Sequence, residues 1–285
     1  MTASITIVIK LGERSLAIRK GGTLRLNRIT GVESPEYDVQ AEEYSAMEGG
    51  YLSSLHVPSR LITLTFTVDN RYETEERRAE LIGFFAIDRE GELKITRTGV
   101  TRVIPCRCAA APVFDQENIR RDKLKVTVSL LCLFPYFLAM EPVHIRFNEP
   151  VPLLTFPLTI YPHAGVTVGM PGTTDTVRLY NDGHVSAGLV MTAKAVGGDV
   201  VNPAFSLDNR YVKILTTLQD GDVLEIDTRT GRKSVKINGE KRLLFDRGSV
   251  FFECPPGEHI LKFTADSGKE YTEATADIVY AYNGV

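Results

Sequence analysis

The chain has no tryptophan, four cysteines and no surplus of positive charge. Each shortage excludes something. Cys106, Cys108, Cys132 and Cys254 occur without a basic, apolar leader before them, so free thiols are expected and a disulfide framework is not. Against 36 Asp and Glu stand 33 Lys and Arg, a net charge of −3, which is too little positive field to wind around phosphate backbones. The longest apolar run, Leu130 to Met140, is interrupted by Pro135, whereas a membrane-crossing helix needs roughly 20 apolar residues, so no membrane partner is expected. The motifs of common enzyme classes are missing too: no G-x-S-x-G elbow, P-loop, G-x-G-x-x-G, H-E-x-x-H or C-x-x-C occurs.

What is there is an ordinary globular composition, 43% hydrophobic and 24% charged over 285 residues, enough for two domains with separate cores. Period-two patterning dominates. In Leu61 to Val68, Ile62, Leu64, Phe66 and Val68 share one face and three threonines the other, which predicts a half-buried strand. Lys123 to Leu130 repeats the pattern, and its parity carries Cys132 and Phe134 inward; the same count places Ile104, Cys106 and Cys108 on one face of Val100 to Ala110. The segment Met1 to Lys10 predicts a first strand, and Arg89-Glu-Gly91 a turn into another over Glu92 to Arg97.

One helix is predicted over Arg71 to Ile87. Asn70 with Glu73 can cap it, Glu75 and Glu76 suit its positive end, and Leu81, Ile82 and Phe85 form the stripe expected to lie on the sheet. Pro142, Pro150, Pro152 and Pro157 mark an inter-domain crossing with a boundary near Asn148, giving domains 1–147 and 148–285. Beyond it, short strands alternate with turn signals such as Asn181-Asp-Gly183, Gly197-Gly198, Asp220-Gly221 and Asn238-Gly239, the spacing of an antiparallel sandwich that needs no helix.

Candidate chemistry is sparse. Cys106, Cys108 and Cys132 with the Cys254/His259 pair are a conceivable zinc set, but strand parity already accounts for the first three as core. His56 follows Ser53 and Ser54 in what reads as a loop. His144, His163, His184 and His259 read as turn or surface residues, and so do Asp182, Asp220, Asp222 and Asp227. No metal, cofactor or catalytic residue is therefore assigned. The less ordinary feature is a segment from Gly31 to Ser59 that lacks Lys and Arg and carries Glu33, Glu36, Asp38, Glu42, Glu43 and Glu48. On sequence alone it reads as a solvated acidic loop.

In order along the chain, these landmarks resemble the siphophage distal tail protein family, which forms the baseplate hub at the tip of long non-contractile tails. The resemblance rests on the acidic loop with Gly49-Gly50, the Arg60-led strand, the charged-start helix, Gly91-Glu-Leu-Lys-Ile-Thr-Arg97 and the strand into Phe134-Pro-Tyr-Phe137. In the second half it rests on Asn202-Pro203, Gly221 to Thr228, Val235-Lys-Ile-Asn-Gly239 and Phe251-Phe252 leading to Pro255-Pro-Gly-Glu-His259. It implies a mainly β chain: an N-terminal sheet domain with one packed helix whose copies close a hexameric ring, and a galectin-like antiparallel β-sandwich outside. It also implies a non-enzymatic adaptor in the virion, assembled in host cytoplasm. The implied partners are the tail tube protein, the tail-associated hub or lysin, and a receptor-binding protein. In such a ring the six carboxylates would face a lumen through which DNA passes without specific binding. The alternative is a carbohydrate-binding sandwich for cell-wall attachment, with Tyr161, Tyr180, Tyr211, Tyr271, Tyr280 and Tyr282 as the stacking candidates; an enzyme of unfamiliar type is the remaining reading.

Overall fold

The computed structural model describes residues 5–19, 21–69, 74–115, 123–147, 151–152, 169–170 and 175–285. Asn70, Arg71 and Glu73, the boundary residue Asn148, Pro150, Pro157, Tyr161 and His163 lie outside them. The chain divides into two compact units, Met1–Met140 with Ala281–Val285, and Glu141–Tyr280.

Strands of the first unit are β1 (Ile5–Leu11), β2 (Arg14–Arg19), β3 (Leu24–Thr30), β4 (Asp38–Glu43), β5 (Gly50–His56), β6 (Arg60–Asp69), β7 (Glu90–Arg97), β8 (Val100–Cys108), β9 (Val113–Phe114), β10 (Lys123–Cys132) and β11 (Phe137–Ala139). The main sheet runs β2-β1-β7-β8-β10-β6-β3 with antiparallel pairing throughout. Its two end strands follow one another in the chain and come together in space, so the sheet curls until β2 and β3 face each other across a seam. Helix α1 (Thr74–Phe84) lies over that seam.

Alternation does what the sequence predicts: Ile62, Leu64, Phe66 and Val68 of β6 and Leu124, Val126, Val128, Leu130 and Cys132 of β10 enter one core, joined by Ile104, Cys106 and Cys108. The helix departs from its predicted stripe. Leu81, Phe84 and Phe85 are buried whereas Ile82 is half exposed, because residues three and four apart share a helical face and Ile82 falls outside the arc that Leu81 and Phe85 define with Phe84.

In the second unit two antiparallel sheets turn one face each into a single core. One sheet contains Val143–Arg146, Thr272–Ile278, Ala187–Ala195, Val223–Asp227, Ser234–Ile237 and Glu240–Lys241; the other contains Thr176–Asn181, Gly257–Thr264, Ala204–Leu207 and Arg210–Lys213. Phe205 anchors the interior, 5.0 Å from Phe263 and 5.9 Å from Phe147 between ring centroids. One 3-10 turn, Lys269–Tyr271, interrupts the strands.

The domain division differs from the expected one at both ends. Val143–Arg146 already pairs with Thr272–Ile278, so the sandwich starts within the proline-rich stretch, directly after Pro142 and ahead of the boundary expected near Asn148. At the other end Ala281–Tyr282 pairs with β11, returning the last residues to the first unit.

Candidate assembly surface

The segment read as an acidic loop is instead a β-hairpin. Among the described residues β4 and β5 pair only with each other, and every residue of both strands is exposed. Their register sorts the side chains into two unlike faces. Asp38 opposite His56, Gln40 opposite Ser54 and Glu42 opposite Tyr51 make a polar face; Val39 opposite Leu55 and Ala41 opposite Leu52 make an apolar one, with Glu43 and Gly50 at its end. Val39, Leu52 and Leu55 are 55%, 56% and 61% exposed. On the polar face the Tyr51 hydroxyl donates to Glu42 Oε2 at 2.6 Å, which raises the phenol pKa, and Tyr44 packs 5.6 Å from Tyr51. Glu33, Glu36 and Glu48 are also exposed, so all six carboxylates of the segment stand in solvent. His56, Ser53 and Ser54 belong to β5 rather than to a loop, and with their side chains in solvent no enclosed site surrounds them.

Where the hairpin leaves the sheet, Arg60 organises the backbone. It is 5% exposed, and its hydrogen bonds among the described residues go to backbone carbonyls. Its guanidinium donates to Gly31 O at 3.4 Å, Glu33 O at 3.3 Å and Asn283 O at 2.5 Å, and sits 5.1 Å from the centroid of Phe137. Burial lowers its pKa, against the opposing pull of Cys132, Tyr136 and Tyr37. Two further arginines hold the same strand end: Arg102 donates to Gly284 O and stacks 3.7 Å from the Tyr282 ring centroid, and Arg97 donates to Val285 O at 3.2 Å. The Val285 amide completes the clamp on Val32 O at 3.1 Å. Residues 281–285 are thereby fastened to the root of the hairpin. Sequence reasoning missed Arg60, although its parity with Ile62, Leu64, Phe66 and Val68 points inward.

The remaining candidates find structural roles. Cys106, Cys108 and Cys132 lie in the first core and Cys254 in the second, all as free thiols; burial pushes Cys106, Cys132 and Cys254 up to about 12. Among the described residues no group of three His, Cys, Asp or Glu is arranged to hold a metal ion. Asp220 accepts from the Gly197 amide and Asp222 from the Gln219 amide and Asn238, as turn residues do. Asp182 and His184 are exposed beside the turn that Asn181 braces through the Gly183 amide. Asp227 differs from the expected surface role: it is buried, and Arg229 grips it through Nε and Nη2. His259 also differs, sitting within a strand with Nδ1 2.7 Å from Asp208 Oδ2, while His144 is exposed and bonded to Asp277. Of the stacking candidates, Tyr282 belongs to the first unit, Tyr280 donates to Tyr180 O and Tyr211 to Asp246. Tyr180 and Tyr271 keep exposed rings, on a strand and on the 3-10 turn respectively.

Comparison with known proteins agrees with this architecture. Residues 182–275 match the family described as siphovirus-type tail component, C-terminal domain. The whole fold is similar to the crystal structure of the Dit protein of phage SPP1, described as a paradigm of the hub adsorption apparatus in phages that infect Gram-positive bacteria. The TM-score is 0.67 at 13% identity, over 96% of this chain and 98% of that one. A chain of the phage P2 baseplate in its activated conformation with Ca matches at TM-score 0.53 and 8% identity over 100% of both chains. No curated protein sequence matches. The resemblance read from the sequence, and the mainly antiparallel β fold it implied, are borne out.

Proposed function

We propose, for a chain whose C-terminal unit carries the siphovirus-type tail component domain, that it is a structural adaptor of the tail tip and works by touching other proteins. Six copies close a ring through the sheet unit. One ring face receives the tail tube protein and the other the tail-associated hub or lysin, while the sandwich offers its surface to receptor-binding proteins. The observation that carries this reading is the β4–β5 hairpin, which projects an apolar face that nothing among the described residues covers. A two-stranded ribbon is marginal in water by itself, and apolar patches that a monomer leaves open mark contact with another protein. The polar face has its own use in a ring. Asp38 and Glu42, within a segment lacking Lys and Arg, border the lumen and repel DNA phosphates so that the genome slides.

Light scattering on the purified chain tests the ring. The expected mass is near six times that of the 31.6 kDa chain, with annular particles in electron micrographs. A monomer at every concentration, and no rings in the micrographs, overturns the reading.

A further inference from the structure

We propose that the apolar face of the β4–β5 hairpin seats in the seam between β2, β3 and α1 of a second copy, so that hairpin and seam are the donor and acceptor surfaces of self-assembly. This rests on the assembly reading above and assigns its interface.

The acceptor is a built groove. Among the described residues neither β2 nor β3 has a hydrogen-bonded neighbour on its outer side, and the gap between them is about 170 Å³, lined by Leu16, Ala17, Leu24, Val68 and Leu81 and also by Thr23, Arg77 and Glu80. It adjoins a hollow of about 410 Å³ against Arg14, Ser15 and Phe84. A slot that offers Leu16, Leu24 and Leu81 between two open strand edges suits the side chains of Val39, Leu52 and Leu55, and the open edges present backbone groups to an incoming strand.

Charge selects the same pairing. The hairpin and its flanks carry carboxylates and no Lys or Arg from Gly31 to Ser59, whereas β1 to β3 expose Lys10, Arg14, Arg19 and Arg28 against the single acid Glu13, and the acid that lines the groove from α1, Glu80, is paired with Arg77 at 2.5 Å. Glu43 lies on the apolar face and enters the contact with it, whereas Asp38 and Glu42 point the other way and stay open.

Topology supplies the direction. The groove sits where Leu24 pairs with Val68, and the hairpin leaves beyond the pair Thr30 and Thr63, at the opposite end of the same ladder. At ~3.3 Å per residue these ends are ~20 Å apart. Donor and acceptor are therefore different patches at opposite ends of one sheet, which is what a heterologous contact that closes into a ring requires.

Cysteine cross-linking in the full chain decides it, because the native thiols are all buried and only introduced ones react. Ser15→Cys sits in the groove and Leu55→Cys on the hairpin, both exposed positions. With a short bismaleimide, a mixture of the two single variants is expected to give covalent dimers, and the double variant a ladder of covalent multimers. Leu55→Asp is expected to weaken assembly by at least about tenfold, with an unchanged melting curve. If ring mass persists in Leu55→Asp and no ladder forms, the ring closes elsewhere and the interface assignment falls while the assembly reading stands. A cross-link confined within single chains overturns the assignment as well. A native chain that never assembles overturns both.

Discussion

Replacing Arg60 isolates what the C-terminal residues do for the sheet unit. The side chain is buried, so its loss strands the carbonyls of Gly31, Glu33 and Asn283, which otherwise accept from it, and empties the space over Phe137. Hydrogen bonds to a charged group contribute about 1.5–3 kcal/mol each, and part of that is offset because a buried cation no longer has to be desolvated. Arg60→Ala is therefore expected to cost the first unit about 3–5 kcal/mol, since each of three carbonyls left without its donor costs about 1–3 kcal/mol and the relieved desolvation offsets part of the sum. Arg60→Lys is expected to cost about 2 kcal/mol, because one ammonium lacks the planar fork that serves three acceptors at once. For a unit of this size, 1 kcal/mol moves the melting temperature by roughly 2–4 °C, so Arg60→Ala is expected to lower one calorimetric transition by about 6–20 °C. The other transition, from Glu141–Tyr280, is expected to hold. Removing residues 281–285 deletes the Asn283 acceptor, so Arg60→Ala is expected to cost less in the truncated chain than in the full one, a non-additivity that a double-mutant cycle reads directly. A shift below about 1 °C, an equal shift of both transitions, or strict additivity with the truncation refutes the clamp.

Two further outcomes follow from burial and charge. In the folded chain Cys106, Cys108, Cys132 and Cys254 are expected to resist a colorimetric thiol reagent at pH 8 and to react together in denaturant, since burial keeps the thiol rather than the thiolate; a fast-reacting native thiol contradicts this. On acidification the sandwich is expected to lose stability below pH ~4. The Lys269 ammonium at Asp175, and the Ile260 amide with His259 at Asp208, hold those carboxyls below the usual range; at Asp227 burial works the other way and the guanidinium and amide of Arg229 outweigh it. Native pKa values below the unfolded value of about 3.9 mean that the stabilisation is complete above that pH and disappears as pH falls through the native values. Calorimetry of the Glu141–Tyr280 transition between pH 7 and 2 checks the sign, and a transition that rises on acidification contradicts it.

How far the sequence could be read depended on the range of the interactions. Strands such as β6 and β10 were legible because alternation is a local property and a buried face imposes it residue by residue. The return of Ala281–Tyr282 to β11 was not, since nothing local to either segment names a partner so far along the chain. The hairpin lies between these cases. Its apolar residues are present in the sequence, but the register slips between Gln40 and Ala41, leaving Ser53 unopposed, with its hydroxyl donating to Gln40 O. Leu52 and Leu55 thus share a face although they are three positions apart, and a search for period two passes over the segment and reports a loop. The same bulge bears on assembly. An extra residue strengthens the local twist and ends regular pairing, which makes the hairpin a poor template for unlimited edge-to-edge association while leaving its apolar face free for one shaped groove. A strand that hides its amphipathicity from a period-two search is in this case a strand built to be covered once, by one kind of neighbour.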